Sequence, residues 1–361
     1  MNILIFGSGA VGRYLTAHLA QVADHTVLIS RSNTTQLHET GISVSKNNGK
    51  EIVRAQPFVV PSLRKALIKA DELGQPFDYI LLTTKSYDLP DVIDHLVAYT
   101  PQPPPLITMQ NGIDIEQLLT QQFGKEKVIA GSLTVPVSYD HQLNIVEERP
   151  DRGIVFASPA GTNNHKPVAN LFSSAGLNVT TAANHRSLKW SKALTNMIGN
   201  ATSAIVNRQP GVLYKYKPIF QLEMKMLEEA LAVMKKQHIP ITDLPGTSVK
   251  RLAFGVRWLP RNWFQSILTK RVAKGRGDKM PSFQIDLAAG KEKNEVLYHN
   301  GAVYRIGQEV GVPTPVNAAL NDILLGIARG ERDWDQYSGK PKRLLAAVKK
   351  HIQQQKTQAK S

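Results

Sequence analysis

Three glycines, Gly7, Gly9 and Gly12, stand in the spacing G-x-G-x-x-G after an apolar run, 3–6, and at the head of a segment with helical periodicity, 10–22. Such a turn does its chemistry through the backbone. The first glycine permits a tight turn, the second lets the main chain approach a pyrophosphate, and the third lets helix and strand pack closely. The helix N-terminus then offers amides and a positive dipole to the phosphates. The glycine pattern alone would also suit a plain strand-to-helix turn. Here strand, glycines, helix and a following strand (26–30) are all present, so Gly7, Ser8, Gly9, Ala10, Val11 and Gly12 read as a dinucleotide-binding loop. The end of the following strand bears on which dinucleotide. Leu28-Ile29-Ser30-Arg31-Ser32 has no acid to hold a ribose 2′-hydroxyl, whereas Arg31 suits a 2′-phosphate, so the expected cofactor is NADPH/NADP+ rather than NADH.

The elements that must hold this loop follow from the hydrophobic pattern. Residues 79–83 (YILLT), 106–109 and 128–130 are further short apolar runs, separated by helical segments and loops containing Pro and Gly. Continuous apolar strands interleaved with helices indicate a parallel sheet covered on both faces. Strand signals continue over 143–157 and end near 179; from 185 onward the pattern becomes helical, over 186–206, about 217–238, 282–310 with a break, and 316–328. The expected fold class is therefore α/β, an N-terminal parallel-sheet domain (1–183) followed by an all-helical C-terminal domain (184–335). The latter carries a basic insertion near 247–279, and a basic helix and tail (336–361) close the chain. A length of 361 residues suits two domains, each with its own core.

Composition removes other classes. Hydrophobic residues make up 42% and charged residues 20%, as in a globular protein, and there is no cysteine. That excludes disulfides, thiolate catalysis, cysteine-ligated zinc and iron–sulfur clusters, and it fits a reducing compartment. The ten histidines show no metal-ligand spacing and no H-E-x-x-H occurs, so no metal is assigned. No G-x-S-x-G elbow supports a serine hydrolase. The N-terminus lacks the pattern of a secretory signal, and the uncharged stretch 193–207 is too short to span a bilayer. The expectation is a soluble, cytoplasmic protein with no membrane partner.

The net charge of +15 is local. Residues 249–280 hold nine basic residues and one acid, and 340–361 hold seven basic residues and no acid, which leaves the rest of the chain neutral. In the insertion, Phe254, Trp258, Trp263 and Phe264 are interleaved with the cations. Basic residues with aromatics can mark a nucleic-acid surface, but no RNA- or DNA-binding signature accompanies them. The expected reading is an amphipathic helical insertion whose aromatics pack on the helical domain and whose Arg and Lys are solvated. The same residues could cover a cleft, steer anionic cofactor and substrate, or join a dimer contact, which leaves monomer and homodimer both open. The C-terminal LLAAVKKHIQQQKTQAKS reads as a basic helix fraying into a tail. Its apolar face, Leu344, Leu345, Val348 and Ile352, is too slight to favour a membrane surface.

Several further segments fit one family. The glycine motif, Thr84-Lys85-Ser86-Tyr87, Gln110-Asn111-Gly112, the segment RSLKWSKALTNMIGNATSAI, Pro281-Ser282-Phe283-Gln284-Ile285-Asp286 and the stretch 295–317 together resemble ketopantoate reductases (2-dehydropantoate 2-reductases), in order through roughly residues 1–330. The resemblance implies a Rossmann domain joined to a helical domain with the active site in the cleft between them. It implies NADPH-dependent reduction of a 2-oxo acid to a 2-hydroxy acid, most simply ketopantoate to pantoate in pantothenate biosynthesis. Carried over residue by residue, Lys85 and Asn111 match loop positions near the nicotinamide and its ribose. Lys192 matches the catalytic lysine, and Asn196 and Asn200 match substrate-contacting asparagines. Ser282 matches the serine that binds the substrate carboxylate, and Glu295 the glutamate near cofactor and substrate hydroxyl. Two departures stand out: the segment between Asp286 and Glu295 is one residue longer than the family pattern, and Pro210 occupies the place of a further substrate-binding asparagine.

The spacing of Lys192, Asn196 and Asn200 at i, i+4 and i+8 agrees with those roles, since it predicts a polar stripe along one face of a helix that is otherwise largely apolar. Lys189 and Trp190 beside it are read as structural. Two other functions stay open: a reductase of the same fold acting on a different oxo acid, to which Pro210 and the long insertion point, and a non-catalytic dinucleotide-binding regulatory protein. The joint presence of Lys192, Asn196, Asn200, Ser282 and Glu295 argues against the second.

Overall fold

Apolar runs bounded by Gly and Pro become strands wherever a neighbour can cover both faces. The computed structural model describes the chain except residues 141–143, 150, 277–278 and 359–361. Its strands are β1 (Asn2–Phe6), β2 (His25–Ile29), β3 (Ile42–Lys46), β4 (Glu51–Ala55), β5 (Phe58–Val60), β6 (Tyr79–Leu82), β7 (Leu106–Thr108), β8 (Val128–Leu133), β9 (Val137–Tyr139), β10 (Ile145–Glu147), β11 (Ile154–Ala157) and β12 (Val179–Thr181). The main sheet has the order β12-β11-β8-β7-β6-β1-β2-β5. From β8 to β5 every pairing is parallel, as expected from the interleaved helices. The expectation of a purely parallel sheet fails at one side, where β11 runs antiparallel to β8 and carries β12 beside it. Along the sheet Phe6 lies opposite both Ile29 and Leu82, and Leu82 opposite Thr108. The loops leaving β2, β1, β6 and β7 therefore start at one level on the carboxyl edge, and the strand order reverses at β1, the usual position of a nucleotide crevice.

Of a second sheet, β4-β3-β10-β9, only β10 falls within a stretch read as strand-like, 143–157, and the sheet itself was not expected. Its strands are short and partly polar, and the parallel pairing of β3 with β10 joins segments about a hundred residues apart, so no local pattern announces it. Glu147 of β10 accepts a hydrogen bond from Tyr14 Oη at 2.8 Å, which ties this sheet to the helix Ala10–Leu19. Burial and the adjacent carboxylate push the Tyr14 phenol above its ordinary range.

The chain divides into two compact units, Met1–Lys189 with Leu244–Thr247, and Trp190–Asp243 with Ser248–Ser361. The helix His185–Met197 contains the change from one unit to the other. The excursion 244–247 is a tight turn closed by Leu244 N to Thr247 O (3.0 Å) and Thr247 N to Leu244 O (2.7 Å). Thr134 Oγ1 donates to Pro245 O at 3.3 Å and Arg152 bonds the Thr247 hydroxyl, which fixes the turn in the first unit.

The second unit is helical: Ala201–Val206, Pro210–Leu213, Lys217–Lys236, Val249–Trp258, Arg261–Arg276, Ser282–Ala288, Asn300–Glu309, Pro315–Ala328 and the basic C-terminal helix Pro341–Gln358. No helix among the described residues is long and apolar enough to cross a membrane. Two expectations need correction. The helix anticipated over 186–206 ends at Met197, because Gly199 adopts φ +60° and the buried Glu223 accepts the Gly199 N–H at 3.0 Å. Of the four aromatic residues in the insertion only Phe264 packs inward, edge-on to Phe220 with ring centroids 6.2 Å apart, whereas Phe254, Trp258 and Trp263 are exposed.

Glu229, on Lys217–Lys236, accepts the main-chain N–H groups of Val316 and Asn317, each at 2.9 Å, at the start of Pro315–Ala328. Burial outweighs those donors and pushes its carboxyl from 4.5 up to about 7. An acid whose folded pKa is raised stabilises the fold fully below the unfolded value, and the contribution is lost as pH rises through the folded value. Stability should thus fall by about 3 kcal/mol between pH 4.5 and 7 through this one group. Unfolding midpoints across that range should slope in the wild type and flatten in Glu229→Gln. Equal slopes in both proteins would refute the assignment.

Candidate active site

The glycine turn is built by close approach. Gly7 has φ +121°, and a Cβ there would meet Thr84 N at 2.9 Å; a Cβ on Gly12 would meet Gly7 O at 1.9 Å. Gly9 differs, since a Cβ there would find nothing within 4 Å. The tight pair thus packs strand, helix and the loop after β6 together, and Gly9 faces open space where phosphate oxygens could approach the main chain. No side chain caps the helix Ala10–Leu19 and its first turn holds no acid, so its amides and dipole suit an anion. A dinucleotide pyrophosphate fits these residues.

Neighbouring loops converge on this edge. Thr83 Oγ1 donates to Gly7 O at 2.8 Å, and Ser8 Oγ donates to Ser30 Oγ at 2.8 Å, so the turn is fastened to the ends of both β6 and β2. Arg31, just beyond β2, is exposed. Lys85 follows β6 and Asn111 follows β7. Their loops are laced by Ser86 Oγ to Asn111 O and by Gln110 Nε2 to Thr84 Oγ1 at 3.4 Å. The structure therefore places Gly7 to Gly12, Arg31, Lys85 and Asn111 along one sheet edge, at four adjacent strand ends.

Two contributors at this edge escape sequence reasoning. Arg13, next after the glycine motif, is buried; its Nε donates to Ser8 O at 2.9 Å and its guanidinium lies 5.2 Å from the Tyr139 ring centroid. It braces the glycine loop from below. The second is an ion pair with both side chains 2% exposed: Lys189 Nζ lies 2.9 Å from Glu116 Oε1 and donates to Gln110 O at 3.0 Å. Thr108 Oγ1 donates to the same Glu116 oxygen at 2.5 Å. Lys189 is structural as expected, and what it holds is the loop of Asn111.

In the second unit Lys192 and Asn196 are half-buried on His185–Met197. Because the helix stops at Met197, Asn200 does not extend their stripe; it is the N-cap residue of Ala201–Val206 and is buried. Its amide is engaged on both sides. Asn200 Nδ2 donates to Asn196 O at 3.1 Å and to Ser282 Oγ at 3.4 Å, and Oδ1 accepts the Phe283 N–H at 3.1 Å. Asn294 continues the lacing, with Nδ2 to Phe283 O at 3.1 Å and Oδ1 accepting Val296 N at 3.0 Å, and so fixes the short turn Glu295–Tyr298. Ser282 is exposed and Glu295 buried. Asn196, Asn200, Ser282 and the turn of Glu295 thus form one bonded patch.

The helix break beneath that patch is secured by Glu223, which no motif flags. It is fully buried and also accepts Tyr214 Oη at 2.8 Å and Thr202 Oγ1 at 2.5 Å. Pro210 is packed here too, its Cβ 2.6 Å from where a Gly199 side chain would begin.

Comparison with known proteins adds the following. The profile described as Ketopantoate reductase PanE/ApbA matches residues 3–159, and that described as Ketopantoate reductase PanE/ApbA C terminal matches 184–328. The chain is 24% identical over 324 residues to a 2-dehydropantoate 2-reductase of Caulobacter vibrioides, covering 90% of this chain and 98% of the relative. It is 26% identical to one from Mesorhizobium japonicum, covering 91% and 99%. Among solved structures, a PanE/ApbA family ketopantoate reductase from Ralstonia eutropha superposes with a TM-score of 0.73 at 22% identity, covering 92% of this chain and 99% of the other. D-mandelate dehydrogenase in ternary complex with NADH and anilino(oxo)acetate gives 0.72 at 19% identity, covering 91% and 99%. At these identities the structural matches speak for the fold.

Proposed function

Because the chain belongs to the ketopantoate reductase family, we propose that this oxidoreductase uses NADPH to reduce a 2-oxo acid to the 2-hydroxy acid, and that the acid is ketopantoate, in cytoplasmic pantothenate biosynthesis. The observation that carries the reading is the patch in which Asn200 reaches Ser282, 82 positions away in sequence, at 3.4 Å beside the helix of Lys192. Reduction of a ketone builds negative charge on its oxygen, so the site needs a cation or proton donor aimed there. Lys192 stabilises that charge and gives up the proton from Nζ. Asn196 orients the oxo acid with neutral donors and acceptors that leave the lysine charge in force. Asn200, whose amide is occupied within the protein, holds the Ser282 hydroxyl for the substrate carboxylate. Glu295 pairs with the lysine or with the cofactor ribose. When bound, the dinucleotide supplies the hydride. Lys85 and Asn111 orient its nicotinamide end, and Arg31 takes the 2′-phosphate.

A different oxo acid is the second reading, favoured by Pro210, which presents a ring where an amide would contact substrate. One assay separates these readings: dinucleotide oxidation across a panel of 2-oxo acids that includes ketopantoate, run with NADPH and with NADH. Ketopantoate turnover is expected, with kcat/KM higher for NADPH by at least about tenfold, the worth of one hydrogen bond to a charged group. Turnover of another acid alone would select the second reading, and equal use of NADH would remove the role of Arg31. Turnover of no acid, with dinucleotide still bound, would instead favour a non-catalytic regulator.

A further inference from the structure

The insertion presents a surface that neither the cofactor edge nor the bonded patch uses. Helices Val249–Trp258 and Arg261–Arg276 are joined by Leu259 and Pro260 and pack where Phe264 fills the space beside Gly255. Each has a buried ridge, Val249, Ala253 and Val256 on the first and Phe264, Leu268 and Val272 on the second. A second ridge on each helix is apolar and exposed. Phe254 (57% exposed) and Trp258 (72%) lie one helical turn apart, as do Trp263 (72%) and Ile267 (44%). Such large side chains clustered in water mark an interaction surface.

The charge beside them is ordered. Residues 249–276 contain no Asp or Glu. Two of the cations are anchored: Arg257, itself exposed, donates from Nη2 to Leu231 O at 3.2 Å, and the half-buried Arg261 pairs with Glu228, fastening the insertion to Lys217–Lys236. Lys250, Arg251, Lys270 and Arg271 are exposed. At i+4 and i+8 steps the exposed ridges run from Lys250 through Phe254 to Trp258, and from Trp263 through Ile267 to Arg271. Both place tryptophan at the turn and cations at the far end.

We propose that this helix pair docks the protein peripherally on an anionic phospholipid surface, with Trp258 and Trp263 entering the interface and Lys250, Arg251, Lys270 and Arg271 pairing with headgroups. Tryptophan, with its apolar ring and N–H donor, partitions to that boundary, and flanking Lys and Arg supply the attraction to acidic lipid. Nucleic acid fits less well, since it asks for cations and rings interleaved along one track, whereas each of these ridges carries its cation at one end only and one ridge member is aliphatic. A second copy of the same face would set like charges against one another.

The test is flotation of the full chain with vesicles of phosphatidylcholine alone or with about a third phosphatidylserine. Co-flotation is expected only with the acidic vesicles, falling in high salt, with a blue shift of tryptophan emission. Trp258→Ser/Trp263→Ser leaves Trp190 and Trp334 as the remaining tryptophans; it should keep the melting temperature, lose the shift, and lose vesicle affinity by at least about tenfold. Should that variant fail to fold, Lys250→Gln/Arg251→Gln/Lys270→Gln/Arg271→Gln, which keeps every apolar contact, should lose affinity by a similar factor. No binding to acidic vesicles at low salt would overturn the proposal, as would undiminished binding by either variant. A dimer that falls to monomer in the tryptophan variant would reassign the face to a second copy. Salt-sensitive retardation of an oligonucleotide that acidic vesicles do not compete would reassign it to nucleic acid.

Discussion

Lys192→Ala is expected to lower kcat by at least about two orders of magnitude, the usual loss on removing a general acid, while dinucleotide affinity stays close to that of the wild type. The separation follows from where the groups lie. The glycine turn, Arg31, Lys85 and Asn111 belong to the first unit and are braced there by Arg13, Thr83 and Ser86. Lys192 belongs to the second unit, three residues into it. Its truncation removes an ammonium from a half-buried position on the helix His185–Met197. Steady-state kinetics with the best oxo acid, paired with fluorescence titration of reduced dinucleotide, decides the matter. Near-wild-type turnover would refute the assignment, and parallel loss of dinucleotide affinity would make the helix structural instead.

Lys189→Met should be the most damaging single change for stability, costing about 3–5 kcal/mol, because it strands the Glu116 carboxylate in a site that is 2% exposed. A fall of about 10 °C in unfolding temperature corresponds to that cost. Adding Glu116→Gln removes the uncompensated charge and should return a large part of the loss, although Gln110 O stays without its lysine donor. The two changes must therefore be strongly non-additive. A single variant that melts like the wild type, or a double variant whose loss is the sum of the two singles, would show that the pair is not energetically coupled.

How far the residues alone disclose this molecule depends on whether the deciding contact is local. The edge of the main sheet was readable because the apolar runs and the glycine spacing lie within a few residues of the strands and the turn they explain. The break at Gly199 was not. Glycine sits there in an apolar stretch that continues a helical period, and the carboxylate that captures its N–H is Glu223, 24 residues on. Asn200 consequently changed from a member of a helical stripe to a buried bridge between Asn196, Ser282 and Phe283. In the insertion, Trp263 with Ile267 and Phe264 with Leu268 form two equally apolar ridges, and the packing of Phe264 on Phe220 and beside Gly255 chooses between them. Arg13 carries no sequence signal of its own, since the groups that hold it, Ser8 O and the Tyr139 ring, are set by the fold.

The turn at 244–247 constrains how sequence from relatives can be recombined with this one. A crossover after Lys189 would import a foreign nucleotide-binding half while keeping a native Leu244, Pro245, Gly246 and Thr247. Thr134 and Arg152, which grip that turn, would then be replaced by whatever the donor carries. Gly246 adopts φ +66°, and a Cβ there would meet the Arg152 side chain at 2.6 Å, so the grip tolerates little mismatch. Viable chimaeras need a second, four-residue exchange far down the chain, and inheritance of this segment would track the first half of the protein rather than the second.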